Sequence, residues 1–153
     1  MPNIAQRIAE LGLTLPPISP PAANYIGASR VGNLLFVSGH GPDLGDGTYI
    51  RGKVGRDLTV AEGVAAARAT ALCILATMDA TVGLDHVTRI VKVLGMVNTG
   101  PGFNNTPAII NGASDLFVEI WGEAAGKHAR SAVGLAELPF DIAVEIEVVA
   151  EVD

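Results

Sequence analysis

The chain has very little cysteine, few aromatic residues and a small share of charge. Its 153 residues include one cysteine, Cys73, so the sequence excludes an internal disulfide and a zinc site built from several thiolates. Aromatic residues make up 5% and charged residues 17% of the chain, whereas hydrophobic residues make up 49%. This is apolar for a monomer, and we expect part of the apolar surface to lie in an interface between subunits.

Runs of basic residues are also missing. The net charge is −6 and the ten Lys and Arg residues are scattered, which argues against a nucleic-acid partner because phosphate contacts need clustered cations. The longest apolar stretch, residues 64–83, is interrupted by Arg68 and Asp79, so it predicts a core helix and no membrane span. No basic segment followed by an apolar export signal opens the chain. We therefore expect a cytoplasmic protein.

The hydrophobic pattern predicts one domain over residues 1–153, with residues 1–20 as an N-terminal extension. Asn3 is a candidate N-cap for a short helix at the start of the extension. Four prolines within residues 16–21 then enforce an extended segment. We expect the extension to pack on the outside of the domain.

Two kinds of apolar spacing divide the rest of the chain into strands and helices. Period-two or continuous apolar runs predict strands at residues 25–31, 34–38, 49–54 and 87–97 and two more within residues 129–150, and helical spacing predicts helices at 59–82 and 107–123. Thr59 and Glu62 form a capping-box pattern at the start of the first long helix. The order βββαβαββ predicts an α+β fold with both long helices covering one face of a mixed sheet.

The closing segment, residues 129–150, carries the strongest chemical signal. Arg130 opens a run of small and branched apolar residues, where its planar fork of donors calls for an anion, and a small carboxylate fits that fork. Side-chain alternation predicts that Arg130, Glu145 and Glu147 share the sheet face turned away from the helices. Val133 and the residues that alternate with it are predicted to lie on the other face, which the helices cover.

A hairpin register follows if Leu138 pairs with Ala143. It places Arg130 opposite Glu151, six residues from Glu145, or about 20 Å along the strand. Two groups that far apart would scarcely meet within one subunit. Either a bulge changes the register or a neighbouring subunit brings them together, and we favour the neighbouring subunit. The residue types alone also allow a plainer interpretation, in which Arg130 forms a structural ion pair and the glutamates are solvated.

The spacing of Arg130, the Leu-Pro pair at 138–139 and the Glu-Ile-Glu at 145–147 resembles the signature of the Rid/YjgF family, also called the endoribonuclease L-PSP family. Elements upstream match as well: Asn24-Tyr25, the Leu-Phe-Val-Ser-Gly at 35–39, and Asn111. The resemblance covers roughly residues 21–150. The segment that begins at Asn111 is most similar to the chorismate-mutase-like branch.

This resemblance implies a chorismate-mutase-like fold, here with an extra short N-terminal helix, and a homotrimer with ligand clefts between subunits. It implies hydrolytic deamination of reactive 2-imino or enamine acids to 2-oxo acids and ammonia, so the partner is a small carboxylate metabolite. The imine carbon is already electrophilic, and we expect no cofactor. By the same resemblance Arg130 is the carboxylate-binding arginine and Glu145 the water-positioning glutamate.

Four further residues are candidates for substrate binding. Tyr25 and Asn111 match flanking cleft residues, although Tyr25 is equally compatible with a cleft wall and Asn111 with a helix cap or bend. Backbone N–H groups near Gly39 or Ala132 are candidate donors to the substrate. Ala132 departs from the cysteine that many members of the family carry.

The three histidines carry weaker signals. His40, which follows Ser-Gly where the family commonly has Gln, is either a proton carrier or a satisfied loop histidine. His128 could share the face of Arg130, and we assign it no chemistry. His40, His86 and His128 lack metal-ligand spacing, so we expect no metal site.

Three other functions stay open on the sequence. A trimer with the same cleft could bind a 2-oxo acid without catalysis, and a direct assay with an imino acid generated in situ would separate this from deamination. A ribonuclease is disfavoured by the acidic charge and by the lack of a basic surface with aromatic residues. Chorismate mutase activity rests on fold analogy alone.

Overall fold

The computed structural model describes residues 3–153, which form three helices on one five-stranded sheet. The elements are α1 (Ile4–Glu10), β1 (Ala28–Val31), β2 (Leu34–His40), α2 (Val60–Val82), β3 (Val87–Asn98), α3 (Thr106–Gly126), β4 (Ala129–Leu135) and β5 (Val144–Val152). Helix α2 packs on β2 and β5, and α3 packs on β3 and β4. This arrangement confirms the predicted α+β class, the two helices on one sheet face and the extra N-terminal helix.

Helix α2 begins at the predicted capping box. The Thr59 hydroxyl accepts a hydrogen bond from the Glu62 N–H at 3.2 Å, and the Glu62 carboxylate accepts one from the Thr59 N–H at 2.7 Å. The helix is long and apolar enough to span a membrane, but 56% of its most apolar stretch is buried in the domain. A Cβ at Gly112 of α3 would meet the Val64 carbonyl, so this glycine lets the two helices approach closely. Helix α2 is therefore the core helix that the sequence predicted.

The N-terminal extension lies across the outside of the domain and is tied to it at both ends. Asn3 caps α1 as predicted, because its side-chain oxygen accepts from the Gln6 N–H at 2.8 Å. Ile4 and Ile8 are buried against α3 and the turn before β3. Residues 16–22, which we call the strap, then run without regular structure towards β1. Residues 1 and 2 of the predicted extension lie outside the described residues.

The sheet has the strand order β1-β2-β5-β3-β4, in which only β3 and β4 are parallel. The strand predicted at residues 49–54 is absent, and the segment makes isolated bridges instead, such as that between Arg51 and Ile142. Gly52 and Gly55 have φ values of 113° and 87°, which interrupt extended backbone twice within four residues. The third predicted strand was therefore wrong, although the fold class holds.

The predicted hairpin between the last two strands was also wrong, because β3 lies between β4 and β5. Helix α3 is a crossover connection, which returns β4 parallel to β3 at the edge of the sheet. Strand β5 fills the slot between β2 and β3, where both of its edges are hydrogen-bonded. Arg130 is therefore paired with Val93, and Val93 with Val148, so the predicted pairing of Arg130 with Glu151 does not occur.

In the observed register, the helix-facing and open faces of β4 are exchanged relative to the prediction. Ala132 is paired with Gly95, whose missing side chain makes room for Ile110 of α3, so Ala132 and Arg130 face the helices. Val133 lies on the open face and is 42% exposed. On β5 the prediction was right, because the residues that alternate with Glu145 and Glu147 are buried. Arg130 and Glu145 therefore lie on opposite faces of the sheet, not on one face.

Candidate functional site

Arg130 is held over the sheet edge by acceptors on α3. One terminal nitrogen, Nη1, donates to Asn111 Oδ1 at 2.8 Å and to Ser114 Oγ at 3.2 Å, and Nη2 reaches the Pro107 carbonyl at 3.5 Å. Asn111 and Ser114 are one helical turn apart, so both project from the same side of α3. The predicted neighbours Arg130 and Asn111 are thus in direct contact, and Asn111 neither caps nor bends the helix, which begins at Thr106 and kinks at Gly122.

His128 continues this network into the protein. Its Nδ1 lies 2.7 Å from the Gly126 carbonyl and its Nε2 lies 2.9 Å from Ser114 Oγ. A carbonyl only accepts, so Nδ1 carries the proton and Nε2 of the neutral ring accepts from the Ser114 hydroxyl. Burial lowers the pKa of His128, and the charge of Arg130 lowers it further against the opposing effect of the Gly126 carbonyl. The serine oxygen is thereby left to accept from Arg130.

No carboxylate compensates the charge of Arg130 within residues 3–153. The ion pairs in this part of the chain involve other residues, and all three acceptors of Arg130 are neutral. The structural ion pair that the residue types allowed is therefore not formed. A guanidinium held in place by neutral acceptors keeps its charge available to an external anion.

Glu145 occupies the opposite face of the sheet, beside Gly39. A Cβ on Gly39 would lie 3.0 Å from Cδ of Glu145, so a side chain at this position would displace the carboxylate from the place it occupies beside the glycine. Burial raises the pKa of Glu145, and the nearby charge of Glu147 raises it further. Gly39 and Glu145, which were both predicted as site residues, are therefore neighbours on this face.

Glu145 lines a cavity of about 630 Å³ that the strap partly covers. Its other lining residues are Pro17, Ile18, Ser19, Pro20, Pro21, Ala22, Tyr25, Gly27, Ser38, Gly39, His40, Gly41, Asp43, Tyr49, Cys73, Thr77, Pro139, Phe140, Ile142 and Glu147. We call this space the Glu145 cavity. The Ser19 hydroxyl donates to the Asp43 carboxylate, and Pro17 packs against Gly45, which together fasten the strap over the cavity.

Two reactive side chains in the Glu145 cavity are already committed to internal contacts. His40 lies between the Ser38 carbonyl at 2.6 Å and the Thr77 hydroxyl at 2.7 Å, and burial lowers its pKa. Both ring nitrogens are occupied, which favours the satisfied loop histidine over a proton carrier. Burial also raises the pKa of Cys73 to about 11, so Cys73 is a thiol at neutral pH and a poor nucleophile.

A second cavity of about 690 Å³ lies on the open sheet face next to the first. Its floor carries Phe36, Leu94 and Val149, with Lys92 and Ser131 at its polar side. Three residues line both cavities: Tyr25, Ser38 and Glu147. Tyr25 is half-exposed at this boundary, where its hydroxyl accepts a long hydrogen bond from the Ala22 N–H at 3.4 Å.

The predicted site residues thus form two groups that one chain does not join. Arg130 and Asn111 lie with Ala132 at the β4 edge, where the Ala132 carbonyl is occupied by the Thr106 hydroxyl at 2.9 Å. Two strand spacings and a three-residue offset separate Arg130 from Glu145 by about 14 Å, on opposite faces. Arg130 lines neither cavity. One group offers an anion anchor and the other an acid–base group.

Sequence reasoning missed the contribution of Ser114 and left His128 without a role. Both had a detectable signal. Ser114 follows Asn111 by three residues in a predicted helix, and His128 precedes Arg130 by two residues in a predicted strand, so each shares a face with its partner. The strap and Phe140 carried no comparable signal, because their place at the Glu145 cavity depends on tertiary structure.

Comparison with known proteins identifies a family and several relatives that this chain resembles. Residues 5–152 match the family model described as "YjgF/chorismate mutase-like, putative endoribonuclease". Protein TCP17 of Trypanosoma cruzi is 44% identical over 99% of this chain and 95% of its own length. A structure of unknown function from Agrobacterium tumefaciens is 42% identical with a TM-score of 0.87, over 98% of this chain and 92% of that one.

A structure from Shewanella oneidensis, described as a "putative endoribonuclease", is 32% identical with a TM-score of 0.91 and covers 97% of this chain and 99% of its own. The family match extends over almost the whole chain, and the sheet order and helix placement recur in these solved structures. The predicted family and its fold are therefore confirmed: the chain belongs to the YjgF/chorismate-mutase-like family.

Proposed function

We propose that this protein hydrolyses reactive 2-imino or enamine acids to 2-oxo acids and ammonia, at a site completed by two subunits. The observation that carries the proposal is the pair of half-sites, an uncompensated Arg130 on one surface and a destabilised Glu145 carboxylate on another. An enamine first becomes the imine as one proton leaves nitrogen and another is added to the β-carbon. One water then adds to the C=N carbon, both of its protons pass to nitrogen, and the C–N bond breaks to release ammonia. No oxidant, reductant or cofactor enters this balance.

Arg130 is suited to hold the substrate carboxylate. Its contacts to α3 occupy Nη1 and only weakly engage Nη2, while Nε makes no hydrogen bond within residues 3–153. Nε and Nη2 form the edge of the guanidinium that binds a carboxylate through two parallel hydrogen bonds. The α3 acceptors fix the orientation of the group before substrate arrives, which reduces the entropy lost on binding.

Glu145 is suited to activate the water. Its raised pKa makes the carboxylate a stronger base than an ordinary glutamate. The adjacent charge of Glu147 favours a protonated, cationic C=N group, which is more electrophilic than the neutral imine. A substrate with an anionic end for Arg130 and a cationic end for the two glutamates matches both half-sites.

The assembly that joins the half-sites is, in our proposal, a closed homotrimer. A contact between two different surfaces of one protein is head-to-tail, and it forms a closed ring when the rotation between neighbouring subunits is a whole fraction of a turn. The open sheet face offers the apolar area for such a contact, since Phe36 is 46% and Val133 42% exposed. We also propose a cytoplasmic location, because α2, the helix within residues 3–153 that is long and apolar enough to span a membrane, is used in the core.

Endoribonuclease activity, which the family description names, fits this chain less well. Asp43, Glu145 and Glu147 line the Glu145 cavity, and like charge repels the phosphates of RNA. A trimer that binds carboxylates without catalysis would share the Arg130 anchor but would not need a base in the cavity. These possibilities differ in what they do to an imino acid.

The direct test is to generate a 2-imino acid with an amino-acid oxidase and to follow the imine by trapping it with semicarbazide. The proposal predicts that the purified protein accelerates ammonia release and lowers the amount of trapped imine. An unchanged decay of the imine, together with measurable binding of the 2-oxo acid, would replace the proposal with the binding function.

A further inference from the structure

Phe140 is held in a backbone conformation that its side chain disfavours. Phe140 and Asp141 both have φ of 57°, in the left-handed region where a bulky residue is a genuine outlier. The two residues form the turn that leads into β5. Asp tolerates this region better than Phe does, so the cost is concentrated at the aromatic residue.

A buried polar network maintains the turn. The Asn98 amide donates to the Asp141 carboxylate at 2.9 Å and to the Ile142 carbonyl at 3.1 Å, and the Gly52 N–H donates to the Asp141 carbonyl at 2.8 Å. The ammonium of Lys53, itself buried, donates to the Asn98 side-chain oxygen at 2.8 Å. Strain of this kind persists only where the surroundings over-determine it, and it is concentrated at functional sites.

The turn presents Phe140 outwards at the Glu145 cavity. Its side chain is 75% exposed, so its own packing in the chain does not account for the conformation. Within the cavity lining, Phe140 and Ile142 come from the segment that leads into β5, and Pro17 and Ile18 come from the strap. The cavity therefore combines the Glu145 carboxylate with apolar side chains from two parts of the chain.

We propose that Phe140 is a specificity-determining residue, which selects substrates whose side chain is aromatic or a branched aliphatic group. This inference rests on the proposed function and names the substrate class of the same site. At about 630 Å³ the cavity lies within the range of small-molecule sites, and a methyl side chain would leave most of the apolar side chains of the lining in contact with water. A phenyl or isobutyl group would cover them.

Binding of unreactive 2-oxo acids tests the inference without any catalysis. Isothermal titration calorimetry on the assembled protein should give tighter binding of phenylpyruvate than of pyruvate, by about tenfold or more. In Phe140→Ala this ratio should collapse towards one, and in Phe140→Tyr it should be retained. In the control Leu44→Ala, which removes an apolar side chain 56% exposed outside the cavity lining, the ratio should stay at the wild-type value.

The ratio of kcat/KM for phenylalanine-derived to alanine-derived imino acid should change in parallel. A further variant, Phe140→Gly, separates a role in binding from one in folding. It should lose the same discrimination and unfold at a higher temperature than wild type, because glycine removes the left-handed cost.

Equal binding of the two 2-oxo acids by wild type, or a ratio that Phe140→Ala leaves unchanged, overturns the inference. If Phe140→Gly unfolds at a lower temperature and keeps its discrimination, the ring is structural and the inference is also wrong. Failure of the proposed function is a different result, in which wild type hydrolyses no imino acid. A phenylpyruvate preference that depends on Phe140 would still support the inference in that case.

Discussion

Arg130 lies at the sheet edge among neutral acceptors, whereas Glu145 lies in a cavity beside a second carboxylate. The first group is fully charged and oriented by Asn111 and Ser114, with part of its hydrogen-bonding capacity unused. The second is pushed towards its neutral form by burial and by Glu147. One region is built to bind charge and the other to exchange a proton.

Under the proposed function, this difference means that neither region is a complete site by itself. Arg130 alone would hold a substrate carboxylate but has no base to activate water. Glu145 alone, beside Glu147, would repel a substrate carboxylate. Bringing the Arg130 surface of one subunit to the Glu145 cavity of the next would satisfy both, since the arginine would offset the acidic charge. In this proposal the trimer offsets the acidic charge of the cavity and also covers the open sheet face.

Removing the anchor should have the largest effect. Arg130→Ala deletes two charged hydrogen bonds to the substrate carboxylate, each worth about 1.5–3 kcal/mol, so kcat/KM for imino-acid hydrolysis should fall about a thousandfold. The proposed trimer should survive by sedimentation, because the Arg130 side chain forms no ion pair with a carboxylate within residues 3–153. Arg89→Ala, which removes a surface partner of Glu151, is the matched control and should retain full activity. Turnover by Arg130→Ala at the wild-type rate would contradict the assignment.

Neutralising the base should have the next largest effect, on kcat. Glu145→Gln keeps the shape beside Gly39 but removes proton transfer, which contributes about a hundredfold or more. In wild type the kcat should fall as pH drops through the raised pKa of Glu145, because the carboxylate becomes protonated there. The variant should lose this acid limb. Glu151→Gln, on the same strand and sheet face, should keep it; an acid limb that persists in Glu145→Gln would assign the base elsewhere.

The network behind Arg130 should have the smallest effect, on KM. The folded pKa of His128 is lowered, so its contribution to the network is present above the ordinary histidine pKa of about 6.5 and is lost as pH falls through the lowered value. Protonated His128 donates from both nitrogens and adds charge beside Arg130. We expect KM to rise about fivefold, the equivalent of one hydrogen bond, on acidification.

Ser114→Ala and His128→Asn should raise KM at neutral pH and flatten this dependence. Kinetics across the range from about pH 5 to pH 8 measure it, with KM kept separate from the kcat limb of Glu145. If both variants keep the wild-type KM profile, Ser114 and His128 do not position the anchor.

Local signals in the sequence carried most of the fold. The cap at Thr59, the apolar period of α2 and α3 and the alternation of β5 depend on neighbouring residues, and each element formed where it was expected. Strand pairing was harder, because Arg130 alternates with Val133 in the same way whether β4 pairs with β5 or with β3. Only the crossover through α3 decides between them.

The candidate site likewise has a part that the sequence predicts and a part that depends on strand pairing. The chemical identity of Arg130 and Glu145 could be expected from residue type, spacing and family resemblance. Their positions on opposite faces of the sheet could not be expected from the sequence. These positions depend on which residues are paired across the neighbouring strands. No sequence signal predicted the proposed role of Phe140. That role depends on a backbone angle that Lys53 and Asn98 help to fix, and both residues are distant in sequence.

The most direct test of a site shared between subunits is complementation. Arg130→Ala and Glu145→Gln subunits, each expected to be strongly impaired alone, are unfolded, mixed in equal amounts and refolded together. Imino-acid hydrolysis is then compared with that of each variant refolded alone. With random assembly, about a quarter of the subunit interfaces combine an intact Arg130 with an intact Glu145. Activity should therefore return to about a quarter of the wild-type value. Activity no greater than the mean of the two variants, in mixed trimers verified by mass, would contradict the account.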